Sequence, residues 1–388
     1  MKIFTLLVAL SCAAYSAESV TENHPDGSKS LTVQINKVGE RNGALTAWWP
    51  GGKLVKEKSP WSAGKLHGIR QIYDDKGQLI CEETWLNGRL LYPQSQLQTV
   101  EALSRIERET VAYCATLAKP LNPTTAPLEA QARALTRLRQ YRWFCGLAYD
   151  VGLDPTYTDE AQEGSLVLAA IGKLDHHPSK PPGWEDVPFE KAQEACGHGN
   201  LAMGAGSLSS AIDMWMNDSD DSNIDRLGHR RWLLNPTMQN CGLGITGQFQ
   251  VIWAHDGKRS NPTSQQWQTF PPAGYMPITH FNERYAWHIS LNPANYQVDL
   301  KATNFQIFPL DKRYVRNGAA YVFNFDNSNG DGFGSYANAR IVRPDLQNQP
   351  KTQPPFQVSK GRSYEAVVGG LKPIGDAPAE IAWIVTFY

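Results

Sequence analysis

The chain has 388 residues and a formal net charge of −1, from 37 basic and 38 acidic side chains. That balance leaves no basic footprint and argues against a nucleic-acid partner. Hydrophobic residues at 41% and charged residues at 19% exclude general disorder, and no internal apolar run approaches the ~18 residues that a transmembrane helix needs.

At the N-terminus, Lys2 precedes an apolar stretch over 3–14, and the triplets Ala14-Tyr15-Ser16 and Tyr15-Ser16-Ala17 offer small residues for cleavage. The pattern predicts a secretory signal peptide over 1–17, the alternative being a buried N-terminal element. Cys12 raises the question of lipidation, but Ala9-Leu10-Ser11 before it lacks the aliphatic residue such a site carries. Export makes the mature chain secreted or periplasmic and places it where disulfides form. Cys81, Cys114, Cys145, Cys196 and Cys241 then allow two bridges at most. Spacing alone does not set the connectivity; the working expectation is Cys196 with Cys241 and Cys114 with Cys145.

Residues 39–90 repeat at an offset of about 24 to 25 positions: Asn42-Gly43 returns as His67-Gly68, Gly52-Lys53-Leu54 as Gly77-Gln78-Leu79, and Trp61 with Gly64 as Trp85 with Gly88. Short strands punctuated by glycine turns give this signature. The stretch resembles the MORN-type β-hairpin repeats of bacterial proteins. The resemblance implies a scaffold or protein-contact module over 22–92, with no catalytic constellation.

Helix is expected over 95–119, with Val100, Leu103, Ile106, Val111 and Leu117 as its apolar stripe. A Pro- and Thr-rich connector follows at 120–127, so that 95–127 reads as a helical linker. A second helix is expected over 128–147. Thr158 is the expected cap of a third helix that presents Val167, Ala170, Ile171 and Leu174, and Ser207 the cap of a fourth with Leu208, Ala211, Ile212 and Trp215. Strands are expected at 242–245 and 249–253. Helices followed by strands predict a layered α+β domain.

Several segments here match one pattern in order and spacing. They are Arg137-Leu138-Arg139-Gln140-Tyr141-Arg142 with Gly146-Leu147, Asp175-His176-His177-Pro178, Gly197-His198-Gly199-Asn200-Leu201-Ala202, Trp215-Met216-Asn217-Asp218, Gly228-His229-Arg230-Arg231-Trp232 and Gly242-Leu243-Gly244. Together they resemble the CAP superfamily (cysteine-rich secretory proteins, antigen 5 and pathogenesis-related proteins; the SCP domain), in its bacterial form. The resemblance implies an α-β-α sandwich over 128–268. Its cleft would be built from His176, Gly199, Asp218 and His229, with His177 as an alternative to His176. The chain departs from the family where the turn glutamate has become Gly199, where the helix glutamate is shortened to Asp218, and where Arg139 replaces an asparagine. His198 stands one position out of register with the missing acid.

Two imidazoles and a carboxylate suit an open Zn²⁺ site, and His176, His177, His198 and His229 are four of only nine histidines. The expected metal ligands are His176 and His229. The same groups suit acid–base chemistry. Against these stand plainer readings: His198 as a turn residue, Asp218 as a solvated loop carboxylate, His176 and His229 as structural hydrogen-bonders, Trp215 and Trp232 as core. Arg142 reads as a buried cation that pairs or caps carbonyls. No His-Glu-x-x-His helix and no Gly-x-Ser-x-Gly elbow is present.

After a Pro-rich passage at 270–277, strands are expected at 286–291, 296–302, 319–325, 363–368 and 380–388, forming a small β-sandwich over 269–388. The run 327–338 resembles an EF-hand loop, but Asn327 and Asn338 stand where Asp and Glu belong, so a polar hairpin loop is expected instead. The whole reads as a non-catalytic binding module for an envelope or extracellular ligand, whether lipid, peptide or protein. The rivals are a metal-dependent hydrolase working through the histidine cleft, and an envelope scaffold acting through the repeats.

Overall fold

The computed structural model describes residues 18–388 except 87, 93–95, 118–123, 261, 263, 264, 298–300, 313, 331–335 and 337. The expected leader at 1–17 and half of the EF-hand-like loop lie outside the described residues. The architecture is mixed α+β, in two compact units, Met1–Ser95 and Gln96–Tyr388.

The first unit is one antiparallel sheet of eight strands: β1 (Glu18–Asn23), β2 (Lys29–Ile35), β3 (Arg41–Trp48), β4 (Val55–Ser62), β5 (Lys65–Leu66), β6 (Gly68–Tyr73), β7 (Leu79–Leu86) and β8 (Arg89–Tyr92). The backbone shows three repeat units where the sequence pattern showed two. Gly27, Gly52 and Gly77 take φ of 79°, 64° and 81°. Their amides donate to His24, Trp49 and Asp74 carbonyls at 2.9, 3.0 and 3.1 Å. Gly39, Gly64 and Gly88 close the alternate turns with φ of 81°, 75° and 80°. Each turn needs the left-handed backbone that glycine adopts without strain. One row of side chains across the sheet runs Val33, Leu45, Ser59, Arg70, Glu83. In it Arg70 bridges Glu57 at 2.8 Å and Glu83 at 3.0 Å.

The second unit opens with helices α1 (Gln96–Cys114) and α2 (Leu128–Phe144). The buried side of α1 is Thr99, Ala102, Ile106, Thr110 and Cys114. This corrects the expected stripe, since Val100 and Val111 face solvent. The five-residue step from Ile106 to Val111 breaks the three-and-four spacing that keeps a helical face together. Next come β9 (Gly152–Leu153), α3 (Pro155–Ile171), α4 (Asp186–Gly197), β10 (Gly199–Met203), α5 (Leu208–Asn217), α6 (Gly228–Leu233), β11 (Asn240–Thr246) and β12 (Phe249–Trp253). The cap of α3 is Asp154, which accepts from the Thr156 and Tyr157 amides at 2.9 and 3.1 Å. Thr158 lies inside the helix, because Asp followed by Pro155 starts it a turn earlier. Ser207 caps α5 as expected, accepting from the Ser210 amide at 3.0 Å.

The four central strands run β10-β12-β11-β9, with β9 parallel to β11. Leu201, Phe249, Val251 and Trp253 pack with Ala161, Leu168 and Ala195 of α3 and α4. Ala202, Leu243 and Ile252 point the other way, into a cluster with Leu135, Leu138, Ile212 and Trp215 of α2 and α5. Gly242 and Gly244 let α3 lie directly on β11: a Cβ at either would sit 2.1 Å from the Tyr157 carbonyl carbon or the Ala161 oxygen.

The remaining strands are β13 (Trp267–Phe270), β14 (Gly274–Met276), β15 (Trp287–Leu291), β16 (Asn304–Leu310), β17 (Phe323–Gly330), β18 (Asn338–Pro344), β19 (Ser363–Gly369) and β20 (Ile381–Phe387). They form two four-stranded sheets, β13-β15-β18-β17 and β14-β20-β19-β16, antiparallel except for β14 with β20. Trp287 of one sheet meets Tyr364 of the other edge to face at 6.4 Å. Their core is continuous with that of the helices, through contacts such as Tyr141 with Phe270 at 5.9 Å.

Candidate functional site

His229 and Asp218 come from the two ends of one loop. Asp218 terminates α5 in the left-handed region (φ 47°), and Leu227 precedes α6 in the same region (φ 50°). Leucine adopts that conformation at a cost of about 1–3 kcal/mol, and such residues gather where geometry is over-determined by function. The two turns aim His229 Nδ1 at Asp218 Oδ1, 2.7 Å away. The Asp218 side chain is 1% exposed and that of His229 is 21%, so Asp218 is a buried orienting group and not a solvated loop carboxylate. Its other oxygen accepts from the Arg230 amide at 3.4 Å.

Arg230 is itself fully buried, and donates to the Met216, Asn217 and Ala286 carbonyls. Burial lowers its pKa to about 10. A buried cation beside Asp218 offsets much of the carboxylate's desolvation. Asn200 Nδ2 donates to the His229 carbonyl at 3.0 Å and ties the start of β10 to α6. With Nδ1 held by a carboxylate, His229 keeps Nε2 for a substrate or ligand, an arrangement suited to accepting a proton or a hydrogen bond.

The other expected histidines lie where α4 passes into β10. His176 Nδ1 bonds the Cys196 carbonyl at 2.7 Å, and His198 Nδ1 lies 3.0 Å from the Glu194 carbonyl. The structure adds a residue that no motif had singled out. His255 follows β12, and its amide and that of Ala254 both donate to the His198 carbonyl, at 3.0 and 3.1 Å. Burial lowers the His255 pKa to about 4, with His198 and His176 nearby adding to the shift. Its ring is therefore neutral near pH 7.

Aromatic rings complete this wall. Trp253 stacks with Tyr157 at 4.4 Å and with His198 at 5.1 Å. His255 lies edge-on to His198 at 6.1 Å and against Trp232 at 3.8 Å, and Lys258 Nζ sits 4.4 Å above Tyr157. Trp253 Nε1 is buried without a hydrogen-bond partner. Trp232 is thus half-buried against an imidazole, whereas Trp215 is core and donates to the Leu201 carbonyl at 3.0 Å. Arg142 caps carbonyls, those of Ala148, Leu233 and Asn235, each at 2.9 Å.

Position 199 has no room for a side chain. A Cβ at Gly199 would lie 2.4 Å from the Ala195 oxygen and 2.7 Å from that of Ile252, because β10 begins against the last turn of α4. Among the described residues no group of three or more His, Cys, Asp or Glu is placed to hold a metal ion. Zinc at His176 and His229 would thus fall short of the three protein ligands of catalytic zinc sites. The expected disulfides are not formed either: Cys114, Cys145, Cys196 and Cys241 are buried free thiols. Burial raises Cys145, Cys196 and Cys241 to about 12, which makes them inert as nucleophiles.

No described helix is long and apolar enough to cross a membrane. Comparison with protein-family models, with curated proteins and with solved structures finds no match to this chain.

Proposed function

We propose that the chain is an exported binding protein built on a CAP-like module, and that it takes an extracellular or envelope peptide or protein against the wall formed by Tyr157, Trp253, His198, His255 and Trp232. The module reading is supported by a central sheet whose two faces meet different helices, and by the hydrogen bonds that join His229 to Asp218 and to Asn200 of β10. The repeats ahead of it, MORN-like in their turn spacing, serve as a contact module.

The observation that carries the binding reading is the partly exposed Tyr157, His198 and Trp232 rings, packed on the buried Trp253 and beside the neutral His255 imidazole. Rings of this kind supply large contact area at low entropic cost. Selection of displayed peptides on the immobilised protein tests it. Enrichment of a peptide family that the Trp232→Ala, His255→Ala double variant no longer retains is expected. Selection of the same peptides by both proteins overturns the assignment.

A second reading, hydrolysis, is favoured by the buried Asp218 behind His229. In it His229 Nε2 takes a proton from an attacking water while Asp218 holds the ring. A panel of peptide and ester substrates, run with and without added Zn²⁺, tests this reading. Turnover abolished by His229→Ala upholds it, and turnover indifferent to His229 removes it. Calorimetric Zn²⁺ titration of the wild type and His229→Ala separately decides whether the ion belongs to the site.

A further inference from the structure

Two cavities lie apart from the histidine wall. The larger, of about 600 Å³, runs between α1 and α2. The smaller, of about 320 Å³, lies where the end of α5 meets the C-terminal sheets, and is lined by Asn217, Ser219, Asp220, Glu283, Arg284, Asn324, Arg343, Pro344 and Leu346. Its volume is at the low end of small-molecule sites, which span roughly 300–1,000 Å³.

The lining of the smaller cavity carries both signs of charge, yet its charges do not neutralise one another. Arg343 spends Nε on the Asn324 side-chain oxygen at 3.0 Å and one terminal nitrogen on the Ser219 carbonyl at 2.6 Å. Glu283 accepts from the Val358 amide at 3.2 Å, and Asp220 from Ser222 and Asn223. Among the described residues none of Asp220, Glu283, Arg284 and Arg343 forms an ion pair with another. The side-chain oxygen of Asn217 is buried without any hydrogen-bond partner. Pro344 and Leu346 add an apolar edge.

We propose that this cavity binds a small zwitterion of the α-amino-acid class. Arg284 and the unspent end of Arg343 receive the carboxylate. Glu283 and Asp220 receive the ammonium, and Pro344 with Leu346 flanks a short side chain. A ligand there touches the residues on either side of Asp218, on a face that none of the wall histidines lines. The site is independent of what the histidine wall does.

The test uses the full chain. The proteinogenic amino acids are screened singly by thermal shift, and the best is titrated calorimetrically beside acetate and ethylammonium as single-charge controls. Saturable binding of at least one amino acid is expected, weakened about tenfold or more by Arg284→Ala and again by Glu283→Gln. Arg284 is exposed, and glutamine at 283 can still accept from the Val358 amide, so both variants should keep the wild-type circular dichroism. No saturable binding by any amino acid overturns the proposal. So does acetate or ethylammonium binding as tightly as the amino acid, or equal affinity in the wild type and both variants.

Discussion

Gly199 shows how one position decides what the cleft can contain. The resemblance drawn from the sequence would place an acid here, but the backbone is pressed between the last turn of α4 and β12. Clashes with carbonyl oxygens cannot be relieved by swinging a side chain, so the strand itself would have to move. Gly199→Ala should destabilise the chain by about 2 kcal/mol or more, and Gly199→Glu should fail to create an ion site. Urea denaturation monitored by tryptophan fluorescence measures the first effect. A Gly199→Ala midpoint equal to that of the wild type would refute the steric argument. The acid that remains, Asp218, survives burial because the Arg230 amide and the His229 ring both face it.

At the scale of elements, the repeat sheet depends on glycines of two kinds. Gly27 and Gly77 need only a left-handed turn, and a Cβ at Gly27 meets open space. Gly43 and Gly68 take φ of 122° and lie under a neighbour. A Cβ at Gly68 would be 2.6 Å from Pro60 Cγ, whereas at Gly43 the obstacle is the mobile end of Gln34. A proline ring cannot step aside, so Gly68→Ala should cost more than Gly43→Ala, and both more than Gly27→Ala, whose cost is about 1 kcal/mol. Thermal unfolding of the three single variants gives the order, and a reversal between Gly68 and Gly43 would refute it.

Which elements were legible in the sequence follows from the same local physics. The helix after Ser207 is readable because apolar period and cap residue agree there, and the second helix and the strand at 249–253 because their apolar residues run unbroken by glycine or proline. The face of α1 was misassigned because threonine and cysteine, not valine, fill its buried side. Helix α6 carries no side-chain cap and starts from a strained leucine, so it leaves no start signal. His255 was invisible for another reason: it has no motif and becomes part of the wall only because β12 returns beside β10.

At the scale of the whole molecule, buried neutral histidines set the acid limit. His280 sits between Arg137 and Gln140, with Asp213 and Tyr141 also bonded around that guanidinium. Burial, aided by Arg137, lowers its pKa to about 2. His288, facing Arg230 and Arg231, is pushed the same way by burial. An unfolded chain takes up these protons below ~6.5, but the folded chain does not until far lower pH. The contribution of these histidines is therefore intact above ~6.5 and is lost progressively as pH drops, for His280 down to about 2. Comparison of urea midpoints across that range should show the loss, and His280→Gln should flatten the slope; an unchanged slope would remove His280 from the account.

The same contacts bind the C-terminal sheets to the helices. Arg137 reaches the Thr279 carbonyl, Arg230 reaches that of Ala286 at 2.7 Å, and Gln268 donates to Leu234 at 3.1 Å. Tyr141 packs on Phe270 within one continuous core. Ending the chain at residue 268 would remove Phe270 from Tyr141 and take one carbonyl partner each from Arg137 and Arg230, Thr279 and Ala286. Such losses are a sizeable share of the ~5–15 kcal/mol that holds a domain together. A chain ending at 268 should therefore be insoluble or lack cooperative unfolding, whereas residues 96–388 without the repeats should unfold in one sharp transition. Calorimetry of the two truncations decides it, and a cooperative transition in the 268-residue form would show that the helices carry a core of their own.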